Sequence, residues 1–269
     1  MLSKIIAVRT TIINDRLIEL KNKIMTGYIQ AALFDCDGVI TDTEPLHYIS
    51  WEMAFKNVGI TQKHDPALVQ GLPGRVGTFN VLKQVDMVPA EMDIAMLESK
   101  MPDADVQKLN ILIKSIVNDK NKYYLELIEK EKLIPMPGIE SLLKMLQKYN
   151  VKMALVSSSS SAEQVLKNLG LNKYFDDSAI ITGKDVGQYS VLQKTILRGK
   201  PYPDVFLEGA ARLRVLAKRC IGFEDTVGGI SAINNAGILS IGYDPTRKNE
   251  LGEAYLDIYN FSQLIDVLG

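Results

Sequence analysis

Short apolar runs alternate with helical patterns along much of this 269-residue chain, and the alternation restricts the folds it can adopt. Four runs are predicted to be buried strands: 29–34, 151–156, 220–223 and 238–243. Each of the last three follows a segment of helical pattern. Strands that alternate with helices predict a parallel sheet with helices on both faces. We therefore expect an α/β protein with a doubly wound, Rossmann-like parallel-sheet core.

A long helical stretch interrupts the alternation after the first predicted strand. Residues 42–45 are typical of a helix start, and no convincing strand follows as far as Glu131. We interpret residues 45–131 as an inserted, all-helical cap domain over the carboxyl edge of the sheet. Residues 25–44 and 132–269 would then form the core domain.

The first 24 residues have an amphipathic pattern of their own. One face of a helix would present Ile6, Ile13, Leu17, Leu20 and Ile24. Basic residues outnumber acids here, as in a transit peptide. Two acids and the lack of a small-residue cleavage site favour instead an appended helix (residues 1–24), a candidate contact between subunits. Met25 is an alternative start of the chain.

The composition excludes several classes of protein. Lysine plus arginine is 31 and aspartate plus glutamate is 32, whereas binders of nucleic acids or membrane surfaces need a basic excess. No apolar run approaches the roughly 18 residues of a membrane span. Two cysteines, Cys36 and Cys220, cannot staple a domain of this size, which indicates a reducing compartment. We expect a cytoplasmic monomer or small homo-oligomer that binds neither nucleic acid nor membrane.

Two aspartates follow the first predicted strand. Side chains two residues apart in an extended segment point the same way, so Asp35 and Asp37 face one side and Cys36 the other. Ligands of open α/β sheets bind at this end of the strands. Neighbouring carboxylates repel, so one holds a proton unless a cation intervenes, which suits a nucleophile paired with a general acid. The pair alone is a weak signal, because such pairs also cap helices and turns.

Further polar groups follow the later strands. Ser157 comes directly after the second strand, and Ser160 with Glu163 predicts a capping box, so hydroxyl and N–H groups there would bind an anion. The alternative is a flexible serine-rich loop. Lys200 lies in a segment stiffened by prolines, where it would neutralise a phosphoryl oxygen or an aspartate; alone, it would be a surface lysine.

Glu224 and Asp225 follow the strand 220–223. With Asp35 and Asp37 they accumulate acids at one edge of the sheet, and such an accumulation is tolerable only around a cation. Oxygen ligands select a hard ion, Mg²⁺ before Zn²⁺. The sequence thus predicts a Mg²⁺ site at this edge.

Four segments carry these groups in chain order: 34–47 (FDCDGVITDTEPLH), 156–158 (VSS), 199–204 (GKPYPD) and 223–226 (FEDT). They resemble the four motifs of the haloacid dehalogenase superfamily, and more narrowly its β-phosphoglucomutase-like subfamily with a helical cap. The resemblance covers roughly residues 28–261.

The resemblance implies a phosphoryl-transfer site. Asp35 would attack phosphorus and form an aspartyl-phosphate. Asp37 would protonate the leaving oxygen and then draw a proton from the accepting water or hydroxyl. Ser157, Ser158 and Lys200 would hold the phosphoryl oxygens.

The resemblance also implies ligands for Mg²⁺. They are the Asp35 carboxylate, the Asp37 backbone carbonyl and Asp225. Glu224 would bind the ion directly or contact one of its ligands. The dehalogenase branch of the superfamily is disfavoured, because it needs neither the second aspartate nor the metal-binding acids.

The likeness extends to the predicted cap. Arg75 lies about where cap arginines grip a distal phosphate, Lys120 matches a lysine over the active site, and His47 matches a histidine of a cap-gated proton relay. The plainer alternatives are solvated helix charges for Arg75 and Lys120 and an ordinary polar residue for His47. We expect Trp51 in the cap core and His64 at the surface.

One segment departs from the family pattern. Residues 187–198 precede Lys200 and make this connection longer by roughly ten residues than is usual. Leu192, Ile196 and Leu197 suggest some helical burial. We expect either a loop or an extra helical turn.

Our leading hypothesis is a Mg²⁺-dependent phosphatase that acts on a small phosphorylated metabolite, with a sugar phosphate as the favoured substrate. The sequence of residues 43–47 (TEPLH) is closer to the phosphatases of the subfamily than to its mutases. The second is a β-phosphoglucomutase-type mutase, which shares every core residue and differs in how well water is excluded. The third is a non-catalytic sugar-phosphate-binding protein. The presence of both Asp35 and Asp37 argues against it.

Overall fold

The computed structural model describes residues 2–69, 72–98, 103–248 and 251–269, with side chains from residue 11 onwards. The α-helices are α1 (Leu2–Met25), α2 (Glu44–Asn57), α3 (Gly74–Gln84), α4 (Ala104–Lys130), α5 (Ile139–Lys148), α6 (Ala162–Asn168), α7 (Asp204–Arg212), α8 (Val227–Asn235) and α9 (Ser262–Leu268). The strands are β1 (Ala31–Phe34), β2 (Lys152–Val156), β3 (Ile180–Ile181), β4 (Tyr189–Ser190), β5 (Thr195–Ile196), β6 (Cys220–Glu224), β7 (Leu239–Tyr243) and β8 (Leu256–Ile258). The chain divides into two compact units: unit 1 (Met1–Asp42 and Leu133–Gly269) and unit 2 (Thr43–Lys132).

A parallel sheet forms the centre of unit 1, and this confirms the predicted fold class. Its strands lie in the order β3-β2-β1-β6-β7-β8, and each neighbouring pair is parallel. Leu33 of β1 is in register with Ala154 of β2 and Gly222 of β6. The four predicted strands are β1, β2, β6 and β7, whereas β3 and β8 were not predicted, because strands of two and three residues carry too little pattern.

Two glycines allow helices to pack closely on the centre of this sheet. A Cβ added to Gly209 of α7 would lie 2.9 Å from Leu33 Cδ2, and one added to Gly222 of β6 would lie 2.8 Å from Ile233 of α8. Both distances are shorter than ordinary Cβ contacts, so the Leu33 or Ile233 side chain would have to move to admit a side chain at either glycine. Helix α7, which follows the Lys200 segment, is thereby fixed against β1. Both cysteines, Cys36 and Cys220, are buried free thiols.

Helix α1 has the amphipathic face predicted for it, as far as its side chains are described. Leu17, Leu20 and Ile24 are buried, and the helix contacts β8 and α9. The Tyr255 hydroxyl donates a hydrogen bond to Glu19 Oε2 at 2.6 Å, and the Arg16 guanidinium donates one to the Tyr255 carbonyl. The side chain of Ile6, also predicted on this face, lies outside the described ones. No helix in the described ranges is both long enough and apolar enough to cross a membrane.

Unit 2 consists of α2, α3 and α4 with short 3-10 helices, and it has a hydrophobic core of its own. Trp51 is 5% exposed in that core, as predicted. The prediction for His64 is wrong, because His64 is only 4% exposed. Its ring lies 5.2 Å from the rings of both Tyr48 and Phe55, and these aromatic contacts stabilise it away from water.

The segment 187–198 is neither a plain loop nor a helical turn but a β-hairpin, in which β4 pairs antiparallel with β5. The expected helical burial is wrong for Leu192 and Ile196, which are 57% and 59% exposed. Leu197 is buried at 2% exposure, at the base of the hairpin.

Candidate active site

Strands β1 and β6 bring two acids to the same end of the sheet. They pair in parallel with Phe34 opposite Phe223, so Asp35 and Glu224 both lie where these strands end. The Asp35 backbone N–H donates a hydrogen bond to the Phe223 carbonyl at 3.0 Å, which continues the pairing to the first aspartate. Both carboxylates are buried.

Lys200 joins these two acids. Its Nζ lies 2.6 Å from Asp35 Oδ1 and 2.5 Å from Glu224 Oε1, and its side chain is 9% exposed. Burial lowers the pKa of Lys200, but the charges of Asp35 and Glu224 outweigh burial and hold that pKa above its ordinary value. The lysine is therefore a permanent positive charge inside the acid cluster, and the alternative of a surface lysine is wrong.

Asp225 adds a third carboxylate beside Gly38. The φ of Gly38 is 83°, and a Cβ at this position would lie only 1.8 Å from Asp225 Oδ2. The absence of a side chain at Gly38 thus makes the room that Asp225 occupies. Asp225 Oδ1 is buried and has no hydrogen-bond partner among the described residues.

The acid cluster fits a divalent cation. Asp35, Glu224 and Asp225 each offer a carboxylate oxygen within 4.8 Å of the others. Burial and the nearby charges of Glu224 and Asp37 raise the pKa of Asp35 to about 8, against the opposing effect of Lys200. Burial and the same neighbouring acids also raise the pKa of Asp225. Oxygen donors and a buried oxygen without a partner suit a hard cation such as Mg²⁺.

Glu224 is more fully engaged than Asp225. Its Oε2 accepts hydrogen bonds from the backbone N–H groups of Asp225 and Thr226, both at 3.0 Å, and from the Thr226 hydroxyl at 2.8 Å. Its Oε1 accepts from Lys200. These contacts fix Glu224 at the start of α8, whereas Asp225 Oδ1 has no such partner among the described residues.

The remaining residues predicted for the core site lie at the ends of β1 and β2. Asp37 is half-buried and forms an isolated bridge with Thr41. Ser157 is buried, and its Oγ accepts a hydrogen bond from the Ser159 N–H at 3.0 Å. Ser158 is exposed.

The predicted capping box at the start of α6 is wrong. Helix α6 begins at Ala162, and no side chain caps its N-terminus. Glu163 instead forms an ion pair with Lys167 at 2.6 Å, one turn further along the helix. Ser160 lies outside the helix, because the residue before the first helical position is Ser161.

Unit 2 brings together two of its three predicted site residues. Lys120 Nζ lies 2.9 Å from His47 Nδ1, and the His47 ring stacks on Tyr124 at 4.0 Å between centroids. Lys120 is only 8% exposed, so it is not a solvated helix charge. Arg75 is exposed, and its guanidinium donates to Asn110 Oδ1 at 2.7 Å.

Sequence reasoning missed two residues next to Lys200. Arg198 precedes Lys200 in the sequence and Asp204 follows it, and the two form an ion pair with 2.8 Å between Nε and Oδ2. Asp204 was visible as the last residue of the segment 199–204, but nothing in the sequence shows that an arginine six residues earlier binds it. The close approach of Asp225 to Gly38 was not predicted from the sequence either.

The chain is similar to several known proteins. A model of the haloacid dehalogenase-like hydrolase family matches residues 29–237. The β-phosphoglucomutase of Bacillus subtilis is 33% identical over 217 residues, which are 80% of this chain and 83% of that protein. A phosphorylated carbohydrates phosphatase of Thermotoga maritima is 26% identical over 232 residues, 85% of this chain and 91% of the relative. A crystal structure of β-phosphoglucomutase from Clostridium difficile matches with a TM-score of 0.67 and 30% identity, covering 89% of this chain and 97% of that one.

Proposed function

Since the chain belongs to the haloacid dehalogenase-like hydrolase family and is an enzyme, we propose that it is a Mg²⁺-dependent phosphatase of small phosphorylated sugars. The observation that carries the proposal is the buried contact of Lys200 with Asp35 and Glu224, beside the carboxylate of Asp225. Acids gathered around one cation site and one lysine are what phosphoryl transfer needs, because its transition state is stabilised by positioning and charge neutralisation. The phosphatase relative supports a sugar phosphate as substrate.

Asp35 is the nucleophile in this proposal. Lys200 bonds to Oδ1, and we assign the attack on phosphorus to the other oxygen, Oδ2. The new bond joins Asp35 to phosphorus while the bond from phosphorus to the sugar oxygen breaks, and Asp37 protonates that oxygen. Asp37 then takes a proton from water, which attacks the aspartyl-phosphate and releases phosphate.

The carboxylates of Asp35 and Asp225 and the backbone carbonyl of Asp37 would hold Mg²⁺, with Glu224 as a further candidate. When bound, the ion supplies positive charge that keeps the acid cluster ionised and neutralises phosphoryl oxygens. Lys200 contributes a second positive charge through its contact with Asp35 Oδ1.

The other predicted residues would bind the substrate. Ser157, with Ser158 and Lys200, would hold the phosphoryl oxygens at the ends of β1 and β2. In unit 2, Arg75 would bind a distal phosphate or sugar hydroxyl. The remaining expectations, a cytoplasmic location and a monomer or small homo-oligomer, stay predictions from the sequence.

A second candidate function is a phosphosugar mutase, which returns the phosphoryl group to a sugar hydroxyl instead of water. Two β-phosphoglucomutases match this chain at 30% identity or more. The partly buried contact between His47 and Lys120 also suits a proton relay of the kind such an enzyme needs. The two functions share Asp35 and Asp37 and differ in the acceptor of the phosphoryl group.

One experiment tests both functions. The protein is incubated with Mg²⁺ and a panel of phosphorylated sugars, and phosphate release is measured. In parallel, the conversion of β-glucose 1-phosphate to glucose 6-phosphate is followed with a bisphosphate primer. Release that Asp35→Asn and EDTA each abolish supports the phosphatase, whereas isomerisation without release supports the mutase. Silence in both assays favours the non-catalytic sugar-phosphate-binding protein.

The matched control is Asp266→Asn, the same chemical change at an exposed position of α9. We expect this variant to keep full activity. Loss of activity in both aspartate variants would point to unfolding rather than to loss of the nucleophile.

For Asp37→Ala we expect turnover to fall by about 10²–10⁴-fold, the usual contribution of a positioned acid–base group. The loss should be smaller for substrates with an acidic leaving alcohol, such as an aryl phosphate, because they need less help from a proton donor. Steady-state rates on both substrate types check this. Equal losses on both would mean that Asp37 is not the acid.

A further inference from the structure

The hairpin 187–198 is closed at its base by backbone hydrogen bonds. The Gly187 N–H donates to the Leu197 carbonyl at 2.8 Å, and the Leu197 N–H donates to the Gln188 carbonyl at 2.9 Å. The first and last residues of the hairpin therefore lie next to each other. The inserted residues form a closed hairpin directly before the Lys200 segment.

One face of the hairpin is bound to helix α7 through a buried acid. Glu208 is 3% exposed, and its Oε2 accepts hydrogen bonds from Ser190 Oγ at 2.6 Å and Gln193 Nε2 at 3.1 Å. Its Oε1 accepts one from Arg212 at 2.8 Å. Gln193 Nε2 also lies 2.8 Å from the Asp204 carbonyl, so the hairpin reaches the first turn of α7.

The two ends of residues 198–204 are joined by an ion pair. Arg198 Nε donates to Asp204 Oδ2 at 2.8 Å and Nη2 donates to Oδ1 at 2.9 Å, a two-pronged contact. The Arg198 backbone N–H also donates to Oδ2 at 3.0 Å, and the guanidinium lies 4.2 Å from the Tyr202 ring centroid. Lys200 lies inside the short loop that this contact closes.

We propose that Arg198 and Asp204 are positioning residues for Lys200, and the proposal rests on the phosphoryl-transfer function given to that lysine. Lysine is a flexible side chain, yet its Nζ must meet Asp35 and Glu224 at 2.6 and 2.5 Å. Fixing both ends of the loop limits the positions that this Nζ can reach. The Arg198–Asp204 contact joins the two ends. Asp204 is itself the first residue of α7, and the bonds of Ser190 and Gln193 to Glu208 hold the hairpin, which precedes Arg198, on the same helix.

Two variants of Arg198 separate its charge from its geometry. Arg198→Met removes both, whereas Arg198→Lys keeps the charge but cannot make the two-pronged contact. We expect kcat to fall by about 10- to 100-fold in both variants with a smaller change in KM, because a misplaced group costs up to about 10² in rate. Asp204→Asn should cause a similar loss. Combining it with Arg198→Met should add little, because both changes break one contact.

The matched control is Lys167→Met, which removes a basic residue from an exposed ion pair with Glu163 on α6. It should leave kcat, KM and the melting temperature unchanged. Thermal melts of all variants show whether each is folded at the assay temperature, and the Arg198→Lys variant keeps the test decisive if Arg198→Met unfolds.

A readout independent of catalysis is the reactivity of the Lys200 amine. Reductive methylation followed by peptide mass spectrometry should show Lys200 protected in the native protein and modified at least several-fold faster in both Arg198 variants. Other lysines, such as Lys173 on the surface, should react at unchanged rates. If Lys200 is equally protected in the native and variant proteins, the positioning role is wrong. If protection changes as expected but the native protein transfers no phosphoryl group, the proposed function fails while the positioning of Lys200 stands.

Discussion

Gly38 shows how a missing side chain makes room for an acid. Two separate constraints act on this residue: its φ of 83° and the 1.8 Å distance that a Cβ would have from Asp225 Oδ2. Gly59 has nearly the same φ, 82°, but no atom lies within 4 Å of a Cβ placed there. A comparison of these two glycines therefore separates backbone strain from the close approach of the carboxylate.

Gly38→Ala should destabilise the protein more than Gly59→Ala does. The Gly59 change should cost about 1–2 kcal/mol of unfolding free energy, the ordinary cost of a left-handed conformation for alanine. The Gly38 change adds the displacement of Asp225 and should also remove any increase in melting temperature that Mg²⁺ gives the native protein. Urea unfolding and thermal melts with and without Mg²⁺ measure both effects. Equal losses in the two variants would show that Asp225 does not lie against Gly38.

The residues of the site were predictable where strand ends place them. Asp35, Glu224 and Asp225 follow apolar runs that were predicted to be strands, and parallel strands bring their carboxyl ends to one edge. The partners of Lys200 were less visible. The contact of Arg198 with Asp204 depends on how a hairpin returns the chain, and local pattern does not encode that path.

Helix α1 is an example at the scale of elements. The spacing of its apolar residues predicted a helix, and the described face with Leu17, Leu20 and Ile24 is buried in unit 1. The opposite side of the helix includes Ile18, which is 55% exposed. Leu20 and Ile18 are similar in size but differ in burial, so their truncation should lower the free energy of unfolding by different amounts.

Leu20→Ala should lower the free energy of unfolding by about 2–5 kcal/mol, the usual cost of a cavity in a core. Ile18→Ala should change it by no more than about 0.5 kcal/mol, as is usual for exposed positions. Urea unfolding followed by circular dichroism measures both. If Leu20→Ala is as mild as Ile18→Ala, α1 does not pack on unit 1 in solution.

The hairpin marks the limit of prediction at this scale. Apolar residues at 192, 196 and 197 suggested helical burial, but Leu192 and Ile196 are exposed. The polar anchors that hold the hairpin, Ser190 and Gln193, give no periodic signal, because a hydrogen bond to a buried acid on another element is a tertiary contact. The longer strands β2 and β7 were predicted to within a residue, since their apolar pattern alone defines them.

At the scale of the whole molecule, each unit has its own hydrophobic core. The single tryptophan of the chain, Trp51, is buried in unit 2, so its fluorescence reports the folding of that unit. His64 lies in the same unit, and its Nε2 is buried without a hydrogen-bond partner in the described part of the chain. Burial lowers the pKa of His64, although Glu52 and Asp65 act in the opposite direction.

Unit 2 should therefore lose stability as the pH falls below about 6.5, the ordinary pKa of histidine. Below that value the unfolded chain binds a proton that the folded unit takes up only at lower pH, so protonation favours unfolding. His64→Phe, which keeps an aromatic ring, should show a weaker loss between pH 7 and pH 5. Urea unfolding followed by Trp51 fluorescence at several pH values tests this. An unchanged pH dependence in the variant would mean that other groups cause it.

Two buried thiols also make the protein convenient for site-selective labelling. Cys36 and Cys220 are shielded from reagents in water, whereas Val191 at the tip of the hairpin is 78% exposed. A maleimide dye offered to the Val191→Cys variant would find one accessible attachment point. Such a dye would sit on the inserted segment itself, so that its fluorescence anisotropy could follow the movements of the hairpin during turnover.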